Sequence, residues 1–568
     1  MQENEEIIRK IAIKNAIDYG KADYKAVFSK AIAKIPDAKK DLKNLSELAK
    51  RVVEEVNALS NKALEEEYSR YKSEFEEEEK RKAEESKPKL YLPGAKEGDF
   101  ATRFPPEPSG YMHIGHAKVA YLEQEFARIY KGKLYLYFDD TNPEKEKEEY
   151  VEAFKRDLDW LGIKFDDEYY ASDNIEKVYE FARKLIEKGK AYVCTCEPEI
   201  IKRNRFNGVA CMHREHSVEE NMELFDEMLS GKFDEGEAIL RFKGDLNSPN
   251  TVMRDPTLLR IKKTPHYRQG DKYIVWPTYD MNTPIMDSIH GITDAIRSKE
   301  YELRTELDLA ILDALDLRKP RIHHEARLVI KDTPTQKRVV NKLINEGIVS
   351  GYDDPRLVTI AALRRRGITP AAIKKFVLRF GMSRVESYMS IDMLLDENRK
   401  IIDNYSKRLF AVVDPVEVEV KGAEKEEVKL KLHPSKEMGY REYRIGNIFY
   451  ISKSDADKLK AGDKARLKDL YDIEIEKIGS KVVARHIGND AIEAPKIQWV
   501  EKENCVKVRL VTPKPLLING EINKESLDVK EGLAESYAEK LNKDEVIQFE
   551  RIGFFKLDNK EKMEFIGL

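Results

Sequence analysis

The chain has few cysteines and no long apolar run, and both absences limit what it can be. Its 568 residues include only four cysteines. That is too few for a disulfide framework in so long a chain, which favours a reducing compartment. The amino terminus, MQENEEIIRK, lacks the apolar segment of a signal peptide. No apolar run approaches the about 18 residues that a membrane span needs. We therefore expect no membrane association and a cytoplasmic location.

An excess of charge of one sign is also absent. The chain has 101 basic and 105 acidic side chains, a formal net charge of −4. This near-neutral total excludes neither nucleic acid nor an acidic partner, because only the local distribution of charge decides that question. Hydrophobic residues make up 41% and charged residues 36% of the chain. These proportions are typical of a folded globular protein, and the length allows roughly three to five domains.

The apolar pattern divides the first 325 residues into three kinds of region. Residues 1–90 have apolar positions at three- and four-residue steps, which predicts an N-terminal helical extension. Strand and helix patterns alternate over 98–190 and return over 275–325, as in a parallel α/β sheet. Residues 191–274 interrupt this alternation. We therefore predict a multidomain α/β chain in which 191–274 is an insertion within the sheet domain.

The remainder of the chain changes character twice. Residues 326–405 have a helical and basic pattern, which predicts a helical connector. Residues 406–568 contain short alternating strands and turns, which predict one or two β-barrels. The basic stretch at 361–380 offers contacts to phosphate. Its consecutive residues Arg364, Arg365 and Arg366 cannot all face one side of a helix, so at least one is expected to be merely solvated.

The stretch PPEPSGYMHIGHAKVA, residues 105–120, places His113 and His116 three apart at the start of a predicted helix. Both imidazoles then lie on one side of the first turn, where unpaired backbone N–H groups favour an anion. The stretch is not a Walker-type phosphate loop, because Gly115 is followed by His116 and Ala117 rather than by Lys and Ser or Thr. A phosphate site, a metal site and a purely structural histidine pair all fit this spacing.

A second acidic motif ends the next predicted strand. KLYLYFDDTNP places the sequence DDTNP at 139–143, after a run of alternating apolar residues. Ligands of parallel sheets bind at the carboxyl ends of the strands. We therefore expect the histidine motif and DDTNP to form one site.

Four stretches together resemble a known family. RFPPEPSGYMHIGHAK resembles the HIGH signature of class I aminoacyl-tRNA synthetases, in the form used by the glutamyl and glutaminyl branch. FDDTNPEKE at 138–146, VWPTYD at 275–280 and SGYDDPRLVTIAALRRRGITPAAIK from 350 resemble further motifs of that branch, in the same order. The β-rich tail is similar to the archaeal and eukaryotic type. The resemblance covers about residues 98–410, with weaker support in the tail.

This resemblance implies a fold and a reaction. The fold is a Rossmann-like catalytic domain with an inserted acceptor-stem domain, followed by a helical connective domain and anticodon-binding β-barrels. The reaction is ATP-dependent ligation of glutamate to tRNA(Glu) through a glutamyl-adenylate, with Mg²⁺ assisting the departure of pyrophosphate. In that family pattern Gly110, His113, Gly115 and His116 bind ATP, and the two histidines contact its phosphates.

The family also has a mobile KMSKS loop that clamps the phosphates. Alignment along the resemblance places this loop at PTQKR, residues 334–338. Only the second lysine is retained, as Lys337, while Pro334 and Gln336 replace the first lysine and the serine. Lys337 can still offer a point charge to phosphate, and Arg338 is expected to share that task. The departure leaves open a tRNA-binding paralogue with impaired ligase activity.

The resemblance also implies which amino acid is bound. Arg297 lies where glutaminyl enzymes typically have cysteine and glutamyl enzymes arginine, and a guanidinium suits the γ-carboxylate of glutamate. Arg103 would hold the carboxylates of the substrate, Asp140 its ammonium group, and Tyr279 would line the pocket. A glutaminyl-tRNA synthetase is the alternative enzyme. For Arg297 itself, the alternative role is a surface ion pair without a substrate contact.

Three of the four cysteines lie close together in the predicted insertion. CTCEPEIIKRNRFNGVACMHRE contains Cys194, Cys196, Cys211 and His213, with fourteen residues between the two pairs. Three thiolates and one imidazole suit tetrahedral Zn²⁺, so we expect a structural zinc site. Reduced buried cysteines are the alternative.

The partners expected from the resemblance are L-glutamate and tRNA(Glu). Whether tRNA(Gln) is also charged stays open, as does transfer of the activated amino acid to an acceptor other than tRNA. The amphipathic pattern of the N-terminal helices adds the prediction of a protein partner for that region.

Overall fold

The computed structural model describes residues 2–35, 42–85, 90–490 and 492–568. The chain divides into two compact units, residues 1–89 and 90–568. The end of the predicted helical extension, residues 86–89, lies outside the described residues. Among the described helices, none combines the length and apolar content that crossing a membrane requires.

The first unit is helical, as its apolar periodicity predicts. Its apolar positions pack on one another, with Ile8, Val27 and Val52 fully buried. Arg9 ties the first helix to the fourth through a two-bond contact with Glu67, at 2.8 and 3.0 Å. The helices are Gln2–Tyr19 (α1), Tyr24–Lys34 (α2), Leu42–Asn57 (α3) and Asn61–Glu85 (α4).

The second unit begins with a parallel three-stranded sheet, so the prediction of a parallel α/β domain is confirmed. Each strand is followed by a helix, and the strands pair in the order β1-β2-β3. The HIGH-like motif follows β1 and DDTNP follows β2, so both lie at the carboxyl edge of the sheet. The elements are Ala101–Phe104 (β1), Ile114–Ile129 (α5), Lys133–Phe138 (β2), Glu148–Trp160 (α6), Asp167–Tyr170 (β3) and Ile175–Glu187 (α7).

The insertion forms its own antiparallel sheet, in the order β4-β5-β6-β7. Its last strand lies in the segment assigned from sequence to the returning catalytic domain. Trp276 pairs with Arg260 of the insertion, and Val275 is buried in its core, so this sheet extends to Pro277. The elements are Ala191–Cys194 (β4), Pro198–Asn207 (α8), Val218–Leu229 (α9), Ile239–Phe242 (β5), Thr257–Ile261 (β6) and Val275–Pro277 (β7).

The chain then returns to the catalytic sheet. β8 pairs in parallel with β9, and the Thr293 backbone N–H donates to the Ala101 carbonyl over 2.9 Å, which places β8 beside β1. The elements are Tyr279–Ile289 (α10), Asp294–Ser298 (β8), Arg304–Ala314 (α11) and Arg321–Glu325 (β9).

The connector packs directly on the catalytic helix α5. Ile373, Phe376 and Leu394 share one buried core with Ile114 and Phe126. β10 and β11 pair in parallel at its side. The elements are Leu328–Ile330 (β10), Lys337–Asn345 (α12), Ile360–Arg366 (α13), Pro370–Leu378 (α14), Ser387–Met389 (β11) and Ile391–Ile402 (α15).

The basic stretch of the connector is already engaged by protein groups. Arg364 lies 3.3 Å from Asp157, and Arg365 contacts Asp558 over 2.8 Å. Arg366 is buried and donates to the Gly567 carbonyl. The expectation that at least one of these three arginines is merely solvated is wrong, because all three contact the protein itself. Contact of the basic stretch 361–380 with phosphate stays a prediction.

The C-terminal region consists of β-structure, as predicted. Two seven-stranded sheets dominate it, in the orders β12-β27-β28-β29-β23-β26-β13 and β21-β18-β19-β20-β14-β17-β22. The elements are Lys407–Leu409 (β12), Ala411–Val413 (β13), Pro415–Lys421 (β14), Glu426–Lys431 (β15), Tyr440–Ile445 (β16), Ile448–Ser452 (β17), Lys453–Ala456 (α16), Lys464–Leu467 (β18), Asp472–Ile478 (β19), Val482–Gly488 (β20), Lys496–Ile497 (β21), Val500–Glu501 (β22), Cys505–Pro513 (β23), Leu517–Ile518 (β24), Glu521–Ile522 (β25), Leu527–Glu535 (β26), Val546–Phe549 (β27), Gly553–Asn559 (β28) and Glu564–Gly567 (β29).

Candidate active site

The two histidines of the HIGH-like motif cap the N-terminus of α5. The Gly115 backbone N–H donates to Nδ1 of His113 over 3.0 Å, and the His113 backbone N–H donates to Nδ1 of His116 over 3.2 Å. The rings stack with their centroids 3.9 Å apart. Each imidazole thus satisfies one of the donors that a helix start leaves unpaired.

These contacts fix the tautomer of both rings. Because each Nδ1 accepts a hydrogen bond, a neutral ring carries its proton on Nε2. Burial lowers the pKa of His113 to about 4 and holds the pKa of His116 well below its usual range, with the neighbouring ring adding to the effect. Both side chains are therefore uncharged at neutral pH and present Nε2–H donors.

The loop before α13 docks on the same turn. The Ile114 backbone N–H donates to the Val358 carbonyl over 3.0 Å, and the Ile360 backbone N–H donates to the Met112 carbonyl over 2.9 Å. His113 and Thr359 form a bridge between these bonds. The fourth family-like motif is thus part of the histidine turn.

One cavity of about 710 Å³ joins most of the side chains singled out from the sequence. Its lining includes both the histidine turn and the lysine loop, together with the substrate arginines. The sequence-predicted residues that line it are Arg103, Gly110, His113, Gly115, His116, Tyr279, Arg297 and Lys337.

Lys337 reaches the histidine turn from the other wall of the cavity. It is the first residue of α12, and its Nζ lies 5.2 Å from the centroid of the Tyr150 ring. A Cβ atom at Gly110 would lie 3.3 Å from the Lys337 Cδ, so the glycine leaves room for the lysine stem. Burial lowers the pKa of Lys337. Arg338 is exposed and is not among the lining residues, so its expected share in phosphate binding is not supported.

Asp140 does not lie where the sequence analysis expects it. Its carboxylate is fully buried and accepts hydrogen bonds from the Ser172 backbone and hydroxyl, both at 2.8 Å, and from the Tyr267 hydroxyl at 2.9 Å. It does not line the cavity, whereas Asp139 does. The expectation that Asp140 holds the ammonium group is therefore not supported, because the chain turns this carboxylate into the protein.

The part of the cavity around Arg103 and Arg297 is an ion-pair cluster rather than a set of free cations. Arg103 contacts Asp287 through Nε and Nη2, at 2.6 and 3.1 Å, and donates to the Ile296 carbonyl. Arg297 contacts Asp287 at 3.2 Å and also Asp308. Arg297 is only 5% exposed, which excludes the surface ion pair as its role.

Comparison with known proteins identifies the family. A model described as tRNA synthetases class I (E and Q), catalytic domain, matches residues 99–404, and two models of their anti-codon binding domain match 406–489 and 496–558. A glutamate–tRNA ligase from Nitrosopumilus maritimus is 41% identical over 562 residues, 98% of each chain. One from Pyrococcus furiosus is 39% identical over 582 residues, 100% of this chain and 99% of that one. The chain belongs to the class I (E and Q) tRNA synthetases.

Among solved structures, a glutamate-tRNA synthetase from Elizabethkingia anophelis is 18% identical and covers 54% of this chain and 71% of its own, with a TM-score of 0.42. The family models cover both the catalytic region and the β-rich tail. The two C-terminal sheets are therefore the anticodon-binding part of a class I synthetase.

The cysteine cluster of this synthetase is brought together as predicted. The ligand atoms of Cys194, Cys196, Cys211 and His213 all lie within 4.8 Å of one another. Sγ of Cys194 and of Cys211 are 3.7 Å apart, and Nδ1 of His213 lies 3.4 Å from Sγ of Cys196. A tetrahedral zinc with metal–sulfur distances near 2.3 Å separates its sulfur ligands by about 3.8 Å. The donor set and its spacing therefore fit zinc.

The side chains around the cluster also fit a zinc site. Nε2 of His213 lies 3.0 Å from the Thr195 hydroxyl, which leaves Nδ1 facing the thiols. The buried guanidinium of Arg241 lies 3.8 Å from Sγ of Cys194, where it offsets the negative charge of thiolate ligands.

Several polar residues at this site were not singled out from the sequence. From the sequence, Asp140 rather than Asp139 is expected to hold the ammonium group. Strand alternation after Phe138 indicates that these two side chains point in opposite directions. The acidic partners Asp287 and Asp308 sit in apolar helical patterns, PIMDSI and LDLAIL, and this is the signal that could have marked them as buried.

The lowered pKa of His113 predicts how its replacement changes acid stability. The unfolded chain binds a proton near pH 6.5 and the folded chain only near pH 4, so stability is lost as the pH falls through this window. His113→Asn keeps a capping side chain but cannot titrate. Between pH 7.5 and 5 the variant should lose about 2 kcal/mol less stability than the parent. Calorimetric melting at both pH values measures this, and equal pH dependence in both proteins would contradict it.

Proposed function

We propose that this synthetase ligates L-glutamate to tRNA(Glu) in an ATP-dependent reaction through a glutamyl-adenylate. The observation that carries the proposal is the single cavity that contains the two histidines, Lys337, Arg103 and Arg297. Groups that can donate hydrogen bonds to phosphate line one part of the cavity, and guanidinium groups that can bind carboxylates line another. The joining of ATP to an acidic amino acid requires both. The full-length relatives named glutamate–tRNA ligase agree with this reaction.

ATP binds at the histidine end in this proposal. The two Nε2–H groups donate to phosphate oxygens, and the Lys337 ammonium adds a point charge from the opposite wall. Because the imidazoles are neutral, they stabilise developing negative charge as fixed dipoles rather than as cations. Mg²⁺ bound to the ATP phosphates would neutralise part of the charge of the pyrophosphate leaving group.

Glutamate binds at the arginine end. Arg297 faces the γ-carboxylate and Arg103 supports the binding of the substrate carboxylates, while Tyr279 lines the wall, with its ring centroid 5.7 Å from the Arg297 guanidinium carbon. Asp139 takes the ammonium role that was expected of Asp140. Its carboxylate accepts a hydrogen bond from Asn282 over 2.9 Å and lines the cavity. Burial raises the pKa of Asp139 to about 7, so a bound ammonium group favours its charged form.

The reaction then requires little covalent work from the protein. The α-carboxylate of glutamate attacks the α-phosphorus of ATP, the bond to the bridging oxygen breaks, and pyrophosphate leaves with that electron pair. A terminal ribose hydroxyl of tRNA attacks the resulting acyl-adenylate, and AMP leaves. The chain holds the reacting groups in place and stabilises the charge.

The insertion and the C-terminal sheets are the tRNA-binding parts in this proposal. The insertion would contact the acceptor end and the sheets the anticodon, with the zinc site holding α8 and the following turn of the insertion in place. Charging of tRNA(Gln) in addition to tRNA(Glu) is left to the assay.

A protein partner for the N-terminal unit remains part of the proposal. The apolar positions of α1 to α3 are already buried within the unit. A partner would therefore be recognised through polar and charged side chains rather than through an open apolar face.

Charging assays test the proposed function directly. Purified protein with ATP, Mg²⁺ and radiolabelled glutamate should charge tRNA(Glu), and labelled glutamine should not be incorporated. Glutamate on tRNA(Gln) as well would mean a relaxed anticodon site. Preferential use of glutamine would instead identify a glutaminyl enzyme. Bound tRNA without any charging would identify the impaired paralogue and overturn the proposal.

Lys337 and Arg338 form a matched pair for testing the lysine loop. Lys337→Ala removes a charge from the cavity and should lower kcat/KM for ATP in tRNA charging by roughly 100-fold. Arg338→Ala removes an exposed charge outside the cavity, so the same quantity should change by less than about twofold. Similar losses in both variants would mean that Arg338 moves to the phosphates.

The zinc site is tested by metal analysis of the purified protein. We expect a stoichiometric amount of zinc, lost on treatment with a strong chelator together with a lower melting temperature. Cys211→Ser should purify with much less zinc, whereas Cys505→Ser, outside the cluster, should retain it. Full zinc content in Cys211→Ser would contradict the assignment.

A further inference from the structure

The partner of Arg297 behind the cavity wall is Asp308 of α11. Nη1 of Arg297 contacts one carboxylate oxygen of Asp308, and both side chains are almost completely buried. Arg297 lines the cavity, whereas Asp308 does not. The acidic residue therefore lies on the far side of the guanidinium from a bound amino acid.

The two carboxylates beside Arg297 differ in their other hydrogen-bond partners. Asp287 is shared, because both of its oxygens also accept hydrogen bonds from Arg103, at 2.6 and 3.1 Å. The other oxygen of Asp308 has no hydrogen-bond partner among the described residues. Asp308 is thus the counter-ion that belongs to Arg297 alone.

The charges of the cluster balance without a ligand. Two guanidinium groups face the carboxylates of Asp287 and Asp308. Glu123, 4.0 Å from Arg103, is fully buried, and burial holds its pKa well above the usual range, which favours its uncharged form. Removal of the Arg297 charge alone leaves an excess negative charge among buried side chains, which is strongly destabilising.

Arg297 nevertheless keeps free donors for a substrate. Each Nη group has two N–H bonds and contacts one carboxylate, so each keeps one N–H for a substrate, whereas the Nε–H is buried and has no hydrogen-bond partner in the described part of the chain. With Asp308 and Asp287 fixing Nη1 and Nη2, the plane of the guanidinium is held. A side chain held in this way can discriminate a carboxylate from an amide without reorganising.

We propose that Asp308 is a positioning residue that determines amino-acid specificity as one unit with Arg297. Asp308 holds the guanidinium for the γ-carboxylate and cancels its charge, so replacement of Arg297 by a neutral residue costs less stability when residue 308 is also neutral. This inference rests on the proposed function, because it assigns the side-chain end of the same amino-acid site.

A double-mutant cycle tests the unit. Arg297→Cys should lower kcat/KM for glutamate in tRNA charging by about 100-fold and lower the melting temperature. Asp308→Asn should raise KM for glutamate by about 10-fold, with KM for ATP and kcat little changed. Arg297→Cys combined with Asp308→Asn should melt above Arg297→Cys alone and should prefer glutamine to glutamate on tRNA(Glu).

Asp313→Asn is the matched control, because Asp313 lies on the same helix and pairs with Lys319 at the surface. It should leave the melting temperature and the glutamate KM unchanged. Additive losses of stability in the double variant, or a continued preference for glutamate, would overturn the inference. A parent protein that fails to charge glutamate would overturn the proposed function instead, and the melting data would still decide whether residues 297 and 308 form a unit.

Discussion

The active site depends on two hydrogen bonds at the start of α5, in which imidazole nitrogens accept from backbone N–H groups. They pair donors that the helix start would leave open, and the same bonds fix both rings as Nε2–H tautomers. Structure and chemistry are thus supplied by the same atoms. An asparagine could cap the helix, but it would not also present the second donor of an imidazole.

The connector is tied to this turn by short contacts, and the C-terminal region is tied to the lysine loop. The loop before α13 bonds to Met112 and Ile114 on either side of His113. Behind the lysine loop, Leu516 of the C-terminal region packs among Val340 and Leu343 of α12, and the Leu517 N–H donates to the Asp332 carbonyl. The lysine wall of the cavity therefore rests on the anticodon-binding region, not on the catalytic sheet alone.

The sequence predicted well what depends on local spacing. The histidine turn follows from two histidines three apart at a helix start, and the cluster of Cys194, Cys196, Cys211 and His213 from paired Cys and His residues. Both are local patterns that the fold only has to bring together. The parallel sheet follows in the same way from alternating strand and helix patterns.

What failed depends on which way a side chain points or on a distant partner. Asp139 and Asp140 are adjacent and chemically identical, and only the packing of Ser172 and Tyr267 separates their roles. The protein partners of Arg364 and Arg365, Asp157 and Asp558, are distant in sequence, so the contacts of this row could not be predicted from its spacing. β7 was assigned to the wrong sheet because its pairing with β6 is not visible in its three residues.

Charge compensation joins both ends of the cavity. At the ATP end the histidines are neutral donors, and at the amino-acid end each guanidinium has a carboxylate behind it. Unpaired buried cations would bind many anions tightly and without selection. Oriented donors in a charge-neutral site bind tightly only a ligand of the right shape. A match between a positive residue and a negative substrate is therefore an incomplete account of specificity here. The carboxylate behind the arginine partly neutralises the charge of the guanidinium, and it determines which guanidinium N–H groups are left to bind the substrate.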